Sequence, residues 1–225
     1  MKKFFLASTI CFFLLAAFSA RAADDPCAGY TAEPQLKFAI SYGNLRYDNS
    51  LNRRRLGDLA AYHNLQESGM FTAGLSLSDI NGRVQIYTTL YREGNVLCLV
   101  PETLEVSLGY RQPIIYLLSD LKKGSCEYNL VLRHEQQHQQ ISVMVLEHFA
   151  PQIYKAMAQK LAQSVPVSVK NDAEADVLTE ALNEEYWQYF SALTEQLRDV
   201  LLKEQKKLDS RQNYEYEDKL CSKFR

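Results

Sequence analysis

This sequence lacks the features that mark several large classes of protein. Beyond its N-terminus it has no run of the roughly 20 apolar residues that a membrane-spanning helix needs. It has no Cys-x-x-Cys pair, which argues against a zinc site built from thiolates. Only nine glycines and six prolines occur in 225 residues, without repeats or low-complexity tracts. We therefore expect one globular domain without internal linkers.

The chain also lacks an excess of basic residues. It has 25 lysines and arginines against 27 acidic residues, and its net charge is −2. A mildly acidic protein gives no reason to expect a nucleic-acid partner. The triplet Arg53-Arg54-Arg55 is too short to change that expectation.

Residues 1–22 have the pattern of a secretory signal peptide. Lys2 and Lys3 precede an almost wholly apolar segment, residues 4–18, and Ala20-Arg21-Ala22 fits the small-x-small cleavage rule. The apolar segment is shorter than a bilayer span of about 20 residues. We expect an exported protein, periplasmic or secreted, with no membrane span after cleavage and a mature chain of residues 23–225. No feature indicates its oligomeric state.

The two halves of the mature chain differ in the spacing of their apolar residues. From Leu36 to about Leu118 apolar residues tend to alternate, with turn chemistry at Asn81-Gly82 and at 93–95, and a helical stretch near residues 51–66, ended by Gly69, interrupts them. From Glu127 onward the period is helical: about 127–148, then 152–164 started by Pro151, then 171–208. This order predicts an α+β domain in which the helices pack on an antiparallel sheet formed by the N-terminal half.

The segment His134-Glu135-Gln136-Gln137-His138 has the H-E-x-x-H pattern of zinc hydrolases. Residues four apart share one helix face, so both imidazoles can bind one Zn²⁺ at about 2.0–2.1 Å. Glu135 is then close enough to act as general base toward a metal-bound water. The histidines share an apolar stripe with Val145 and Phe149, whereas the glutamines at 136, 137, 139 and 140 are expected on the wet side. One buried histidine is more often a hydrogen-bonded core residue, but two at ligand spacing favour a metal.

A catalytic zinc usually has three protein ligands, so a third must be found. His148 is about 21 Å along the same helix from His134 and is excluded, and His63 is expected to be a core or surface histidine. Glu185 falls within the apolar stripe of the long helix, where a metal would explain a buried acid. The segment Leu182-Asn183-Glu184 also resembles the one that supplies the glutamate ligand in gluzincin aminopeptidases.

A second resemblance covers more of the chain. The export signal, the β-rich half, the Cys126 that precedes the H-E-x-x-H segment and a C-terminal helix ending in an aspartate are similar to a bacterial group of predicted secreted zinc-dependent proteases of unknown function, with a zincin-like domain. The segment 208–214 keeps the aspartate of that group as Asp209 but lacks its threonine and histidine. The resemblance implies Asp209 as third ligand or as a residue that orients a zinc histidine. As candidates for the third ligand, Glu185 and Asp209 are about equally favoured, and Glu184 is less favoured than either. Tyr214 is either an oxyanion-stabilising residue or a packed aromatic.

Four cysteines remain in the mature chain, and an even number in an exported protein predicts two disulfides. Three pairings are possible. We favour Cys126 with Cys221, which ties the start of the predicted zinc helix to the C-terminal tail. The other two are Cys27 and Cys98.

The residues together predict an exported zinc metallopeptidase. A bound Zn²⁺ lowers the pKa of its water towards 7, and Glu135 takes the water's proton and delivers it to the leaving amine. The expected partner is a peptide or protein substrate, held on an edge strand by β-augmentation. Two alternatives remain: a secreted zinc-binding but catalytically inactive interaction module, and a structural protein whose histidines satisfy core hydrogen bonds.

Overall fold

The computed structural model describes residues 25–27, 29–30, 33–65 and 72–222. The predicted signal peptide and Gly69 lie outside the described residues. Within these ranges the elements follow in the order β1 (Gln35–Ser41), β2 (Arg46–Asp48), α1 (Arg53–Tyr62), β3 (Gly74–Leu77), β4 (Ile80–Glu93), β5 (Val96–Tyr110), β6 (Ile114–Leu117), α2 (Cys126–Leu161), β7 (Val167–Val169), α3 (Asp172–Leu208) and α4 (Arg211–Ser222). Strands come first and long helices after, which confirms the predicted α+β class.

The strands form two sheets rather than one. The larger sheet has the order β1-β5-β4, with β7 also paired to β5, and the smaller one has the order β2-β6-β3. Pairs β4–β5, β5–β7 and β3–β6 are antiparallel, but β1–β5 and β2–β6 are parallel. The expected all-antiparallel sheet is therefore corrected to two mixed sheets. Alternation in a sequence reports which face of a strand is buried and carries no information on strand direction.

The turn prediction holds at one position and fails at the other. Gly94 joins β4 to β5 with a φ of 61°, which favours glycine. Asn81 and Gly82 instead lie inside β4. A Cβ on Gly82 would come within 2.4 Å of the Phe190 ring, so this glycine serves close packing between β4 and α3.

The helix that carries the H-E-x-x-H segment is longer than predicted. Ser125 caps its start by accepting a hydrogen bond from the Tyr128 backbone N–H, and the helix continues through Pro151 to Leu161. An internal proline costs about 3 kcal/mol. Ile153, Met157 and Leu161 are buried beyond it, and each such burial contributes about 1.5–3 kcal/mol. Packing therefore outweighs the proline, and the expected break is absent.

The main hydrophobic core lies between the larger sheet and the two long helices. Its buried side chains come from β4, β5, α2 and α3. They include Ile86, Leu104, Leu108, Tyr110, Leu146, Ile153, Met157, Tyr186, Phe190 and Leu197. The smaller sheet packs with α1 around a second cluster. This arrangement fixes α2 between the larger sheet and β3 of the smaller one.

Two disulfides are present. Cys126 pairs with Cys221, as favoured from the sequence, and Cys27 pairs with Cys98. The first joins α2 to α4, and the second joins the N-terminal segment to β5. Among the described residues, the helices include none with the length and hydropathy required to cross a membrane.

Candidate metal centre

The two histidines of the H-E-x-x-H segment lie on the buried face of α2. His134 is 4% exposed and His138 is 8% exposed. Their Nε2 atoms are 3.2 Å apart, so both rings point to one place. The i, i+4 spacing of the sequence thus produces the expected convergence.

Asp209 supplies a third donor atom at this point. It is the residue that ends α3, and its Oδ1 lies 3.2 Å from His134 Nε2 and 2.8 Å from His138 Nε2. Ligands at about 2.0–2.1 Å from a tetrahedral Zn²⁺ are about 3.3 Å from one another. The three atoms have separations close to this value, and this group can hold a metal ion.

Outer partners orient both imidazole rings. His134 Nδ1 lies 3.0 Å from Glu217 Oε2 on α4, and His138 Nδ1 contacts Gln205 Oε1 on α3. The Gln205 amide nitrogen donates to the His138 carbonyl and to Ser142 Oγ, so its oxygen accepts. Both Nδ1 atoms therefore donate, and in the neutral form of each ring the Nε2 lone pair faces Asp209.

The three converging donor atoms need a proton or a metal ion between them. With Nδ1 protonated on both rings, two Nε2 lone pairs and a carboxylate oxygen meet at short distance and repel one another unless a proton or a metal ion lies between them. Burial acts to lower the pKa of each histidine, but the Asp209 hydrogen bond and the neighbouring acids outweigh it and raise the pKa of both. Burial likewise acts to raise the pKa of Asp209, but its hydrogen bonds to both rings hold that pKa far below its usual value.

Tyr214 of α4 completes one wall of the centre. Its ring stacks on His134 with centroids 5.0 Å apart, and its hydroxyl donates to Asp209 Oδ1 over 3.0 Å. The same carboxylate oxygen thus contacts both histidines and this phenol. Tyr214 therefore contacts a candidate ligand, and its hydroxyl and its ring are both in use there.

Glu135 lies beside the histidines and is buried against β3. It is 6% exposed, and burial raises its pKa to about 7 despite the neighbouring imidazoles. A Cβ on Gly74 would approach Glu135 Oε1 to 2.5 Å and Val131 Cγ1 to 2.7 Å, so only glycine at this strand position leaves room for the carboxylate. Among the described residues no group donates a hydrogen bond to Glu135, which leaves its oxygens available.

A cavity of about 680 Å³ contains this centre. Its size is typical of ligand-binding pockets. It extends along the edge strand β3 and is lined by apolar side chains from several elements: Leu65, Leu75, Leu77, Leu130, Val131, Leu201 and Leu202. The acids Asp79, Glu135, Asp209 and Glu217 also line it, and none of the described lining residues is a lysine or an arginine.

The structure does not bring the other candidate ligands to the histidines. Glu185 is exposed and its Oε1 lies 2.5 Å from Lys160 Nζ, because the face that α3 buries runs through Tyr186 and Phe190 and does not include position 185. Glu184 is exposed and accepts a hydrogen bond from Gln188. His148 is exposed on α2, and His63 lines the cavity outside the donor group.

Gln139 differs from its expected exposure. It is buried, and its side chain bonds to Ser76 Oγ, Ser78 Oγ and the Leu77 carbonyl. These contacts join α2 to β3 at the edge of the cavity. The apolar stripe alone could not reveal them, since a polar residue next to it is buried only if another element supplies partners.

Sequence reasoning missed Glu217 and Gln205, the two residues that orient the histidines. The expected disulfide carried a signal for Glu217, because that residue lies one helical turn before Cys221 and the disulfide draws this turn toward α2. Gln205 has a weaker signal, since it lies one turn before Asp209 on α3.

Comparison of the chain with protein-family models, with curated proteins and with solved structures finds no match.

Proposed function

We propose that this chain is an exported zinc-dependent metallopeptidase. The observation that carries the proposal is the convergence of His134 Nε2, His138 Nε2 and Asp209 Oδ1 beside the buried Glu135 carboxylate. Two imidazoles, one carboxylate and an adjacent glutamate are the parts of a catalytic zinc site. The cavity beside these groups leaves space for a substrate.

His134, His138 and Asp209 would hold the metal. The donor set of two nitrogens and one oxygen suits Zn²⁺ in a site that keeps a position open for water. When bound, Zn²⁺ supplies a Lewis acid that acidifies its water and polarises a substrate carbonyl. Glu217 and Gln205 accept from Nδ1 and so favour the neutral tautomer whose Nε2 is free for this ligation, and they hold both rings in the required orientation.

Glu135 would act as the general base and then as the general acid. Its carboxylate takes a proton from the attacking water and delivers it to the nitrogen of the leaving amine. The raised pKa of Glu135, about 7, makes both the loss and the gain of a proton accessible near neutral pH. A glutamine at this position keeps the shape of the side chain but cannot carry the proton.

The substrate would be an extended peptide. β3 is an edge strand of the smaller sheet and lines the cavity, so a peptide can lie along it by β-augmentation. The leucine-rich lining favours apolar side chains, and four acids without a lysine or arginine disfavour acidic ones.

Export belongs to the same proposal. Two disulfides fit an oxidising compartment, and residues 1–22 have the pattern of a cleavable signal. The exported protein is expected to begin at Ala23 and to contain no free thiol. Its intact mass before and after thiol alkylation checks both expectations.

The experiment that tests the proposed reaction compares native protein, Glu135→Gln and Glu184→Gln on a peptide library in the presence of zinc. Glu135→Gln should lower turnover by about 100-fold or more, with zinc content unchanged. Glu184→Gln, an exposed acid on α3, should leave turnover as in the native protein. Equal turnover in all three would exclude Glu135 as the base. Zinc binding without turnover of any peptide would favour the alternative, a zinc-binding interaction module.

A further inference from the structure

The C-terminal helix α4 is buried at two side chains, and both face partners on α2. Among its described side chains Glu217 is 5% exposed and Cys221 is 8% exposed. Glu217 Oε2 contacts His134 Nδ1, and Cys221 forms the disulfide with Cys126. The two buried contacts of α4 are therefore a hydrogen bond to the candidate metal centre and a disulfide bond to the start of α2.

Apolar packing contributes little to the position of α4. None of the hydrophobic clusters formed by the described residues contains a residue of this helix. Its side chains at the site are polar or aromatic: Glu217 bonds to His134, and Tyr214 contacts His134 and Asp209. Glu217 Oε1 also lies 3.9 Å from Arg133 Nη2 on α2. A helix held mainly by polar contacts separates from its neighbour more easily once a covalent bond between them is removed.

We propose that Glu217 is a positioning residue for His134, and that the Cys126–Cys221 disulfide sets the metal affinity of the centre by keeping Glu217 in place. The inference rests on the metal centre of the proposed function and does not depend on the peptidase reaction. It also assigns different roles to the two disulfides, because Cys27–Cys98 lies in a cluster with Val100 at the end of the larger sheet, away from the donor atoms.

The physical basis is the hydrogen bond at His134 Nδ1. Its acceptor fixes the tautomer and the ring orientation, and loss of such an outer partner typically lowers metal affinity by about 10- to 100-fold. The disulfide closes a chain segment of 95 residues between Cys126 and Cys221. Without it α4 gains conformational freedom, and ordering Glu217 against His134 costs more free energy.

The coupling must work in both directions. If the disulfide strengthens metal binding by some factor, a bound metal disfavours reduction of the disulfide by the same factor. A phosphine such as tris(2-carboxyethyl)phosphine reduces the disulfide without adding a thiol that would bind zinc. Phosphorus gives two electrons to the bond between the two Sγ atoms, and one water supplies two protons and an oxygen atom. The products are two protein thiols and the phosphine oxide.

The test measures zinc affinity of the mature protein by competition with a chromophoric chelator. Five variants are compared with native protein: Cys126→Ser/Cys221→Ser, Cys27→Ser/Cys98→Ser, Glu217→Ala, Glu217→Gln, and Cys126→Ser/Cys221→Ser combined with Glu217→Ala. Serine is used so that free thiols cannot bind zinc. Melting temperature and far-ultraviolet circular dichroism of each metal-free variant report whether it folds.

The Cys126→Ser/Cys221→Ser pair and Glu217→Ala should each weaken zinc binding by about 10- to 100-fold. Glu217→Gln should retain most of the affinity because its carbonyl oxygen still accepts from Nδ1. The Cys27→Ser/Cys98→Ser control should lower the melting temperature and leave zinc affinity unchanged. Adding Glu217→Ala to the Cys126→Ser/Cys221→Ser pair should produce little further loss, since both changes remove the same contact.

Two results would overturn the inference alone: native affinity in the Cys126→Ser/Cys221→Ser variant, or an equal loss in both disulfide variants. Should the first variant fail to fold, the rate at which tris(2-carboxyethyl)phosphine reduces each disulfide of native protein, measured with and without zinc, decides. Zinc should slow reduction of Cys126–Cys221 and leave Cys27–Cys98 unaffected, and equal protection of both bonds would count against the inference. Native protein that binds no zinc would overturn the metal centre and the inference together.

Discussion

At the scale of single residues, the chemistry of this protein depends on which atoms carry protons. Glu217 and Gln205 accept from the Nδ1 atoms of His134 and His138, and this leaves both Nε2 lone pairs directed at Asp209. In two ordinary core histidines, each neutral ring would have an acceptor for its N–H group and a donor for its unprotonated nitrogen. Here the Nε2 atoms of both rings meet Asp209 at one point, and this group can hold a metal ion.

The assignment of Asp209 as third ligand predicts a sharp difference between two acids. Asp209→Asn should reduce zinc affinity by more than the roughly 10- to 100-fold typical of an outer partner, since it removes a charged donor. Glu185→Gln, at an exposed position bonded to Lys160, should have no effect on affinity. Isothermal titration with zinc measures both, and a loss confined to Glu185→Gln would reverse the assignment.

The metal-free protein should lose stability as pH rises through neutrality. Burial raises the pKa of Glu135 in the folded state to about 7. The stability that this group contributes is fully present below its unfolded pKa and is lost as pH rises through the folded pKa. The raised pKa values of His134 and His138 act in the same direction. The pKa of Asp209 is lowered, so the stability that it contributes has the opposite pH dependence. That stability is lost only in strong acid, as pH falls through the folded pKa of Asp209.

Thermal unfolding of metal-free protein between pH 5 and 8 checks this prediction. The free energy linked to Glu135 is of the order of 3 kcal/mol at most, and Glu135→Gln should flatten that part of the profile. Zinc should reverse the slope, because a metal replaces protons among the donors and binds better when they are absent. A metal-free profile that rises toward pH 8 would contradict the account.

At the scale of elements, β3 and α2 approach so closely that one strand position must be glycine. Gly74→Ala would place a Cβ 2.5 Å from Glu135 Oε1, and the carboxylate would have to move. Displacement of a catalytic group by about 1 Å can cost about 100-fold in rate. We predict that loss for peptide turnover, with zinc content unchanged.

A matched control for this change lies in α1. Gly57 has nothing within 4 Å of an added Cβ, and alanine is the better helix former. Gly57→Ala should therefore keep turnover and raise the melting temperature slightly. Native turnover in Gly74→Ala would show that Glu135 does not need its observed position.

The elements also show where sequence patterns reach their limit. Helical periodicity correctly places His134 and His138 on one buried face, because that signal is local. The proline rule fails at Pro151, since the burial of Ile153 and Met157 by a distant sheet decides whether the helix continues. The turn prediction at Asn81-Gly82 fails for a similar reason, because the partner that requires a small residue at Gly82 is Phe190, on α3.

At the scale of the whole molecule, the candidate metal centre is built from segments that are far apart in the chain. The H-E-x-x-H segment supplies two donors and the candidate base, and these were predicted from spacing alone. Asp209 was one of two acids left level, since its approach to His134 depends on how α3 packs across α2. Glu217 and Gln205 were not foreseen, because they interact with the histidines only through tertiary structure.

The central claim is that His134, His138 and Asp209 form a metal centre, and zinc content tests it most directly. Elemental mass spectrometry of mature, disulfide-intact protein should give about one zinc per chain. A His134→Ala/His138→Ala variant, purified in parallel, should give none. Absence of zinc from the native protein, even after incubation with excess metal, would contradict the claim and favour a scaffold whose histidines serve the core.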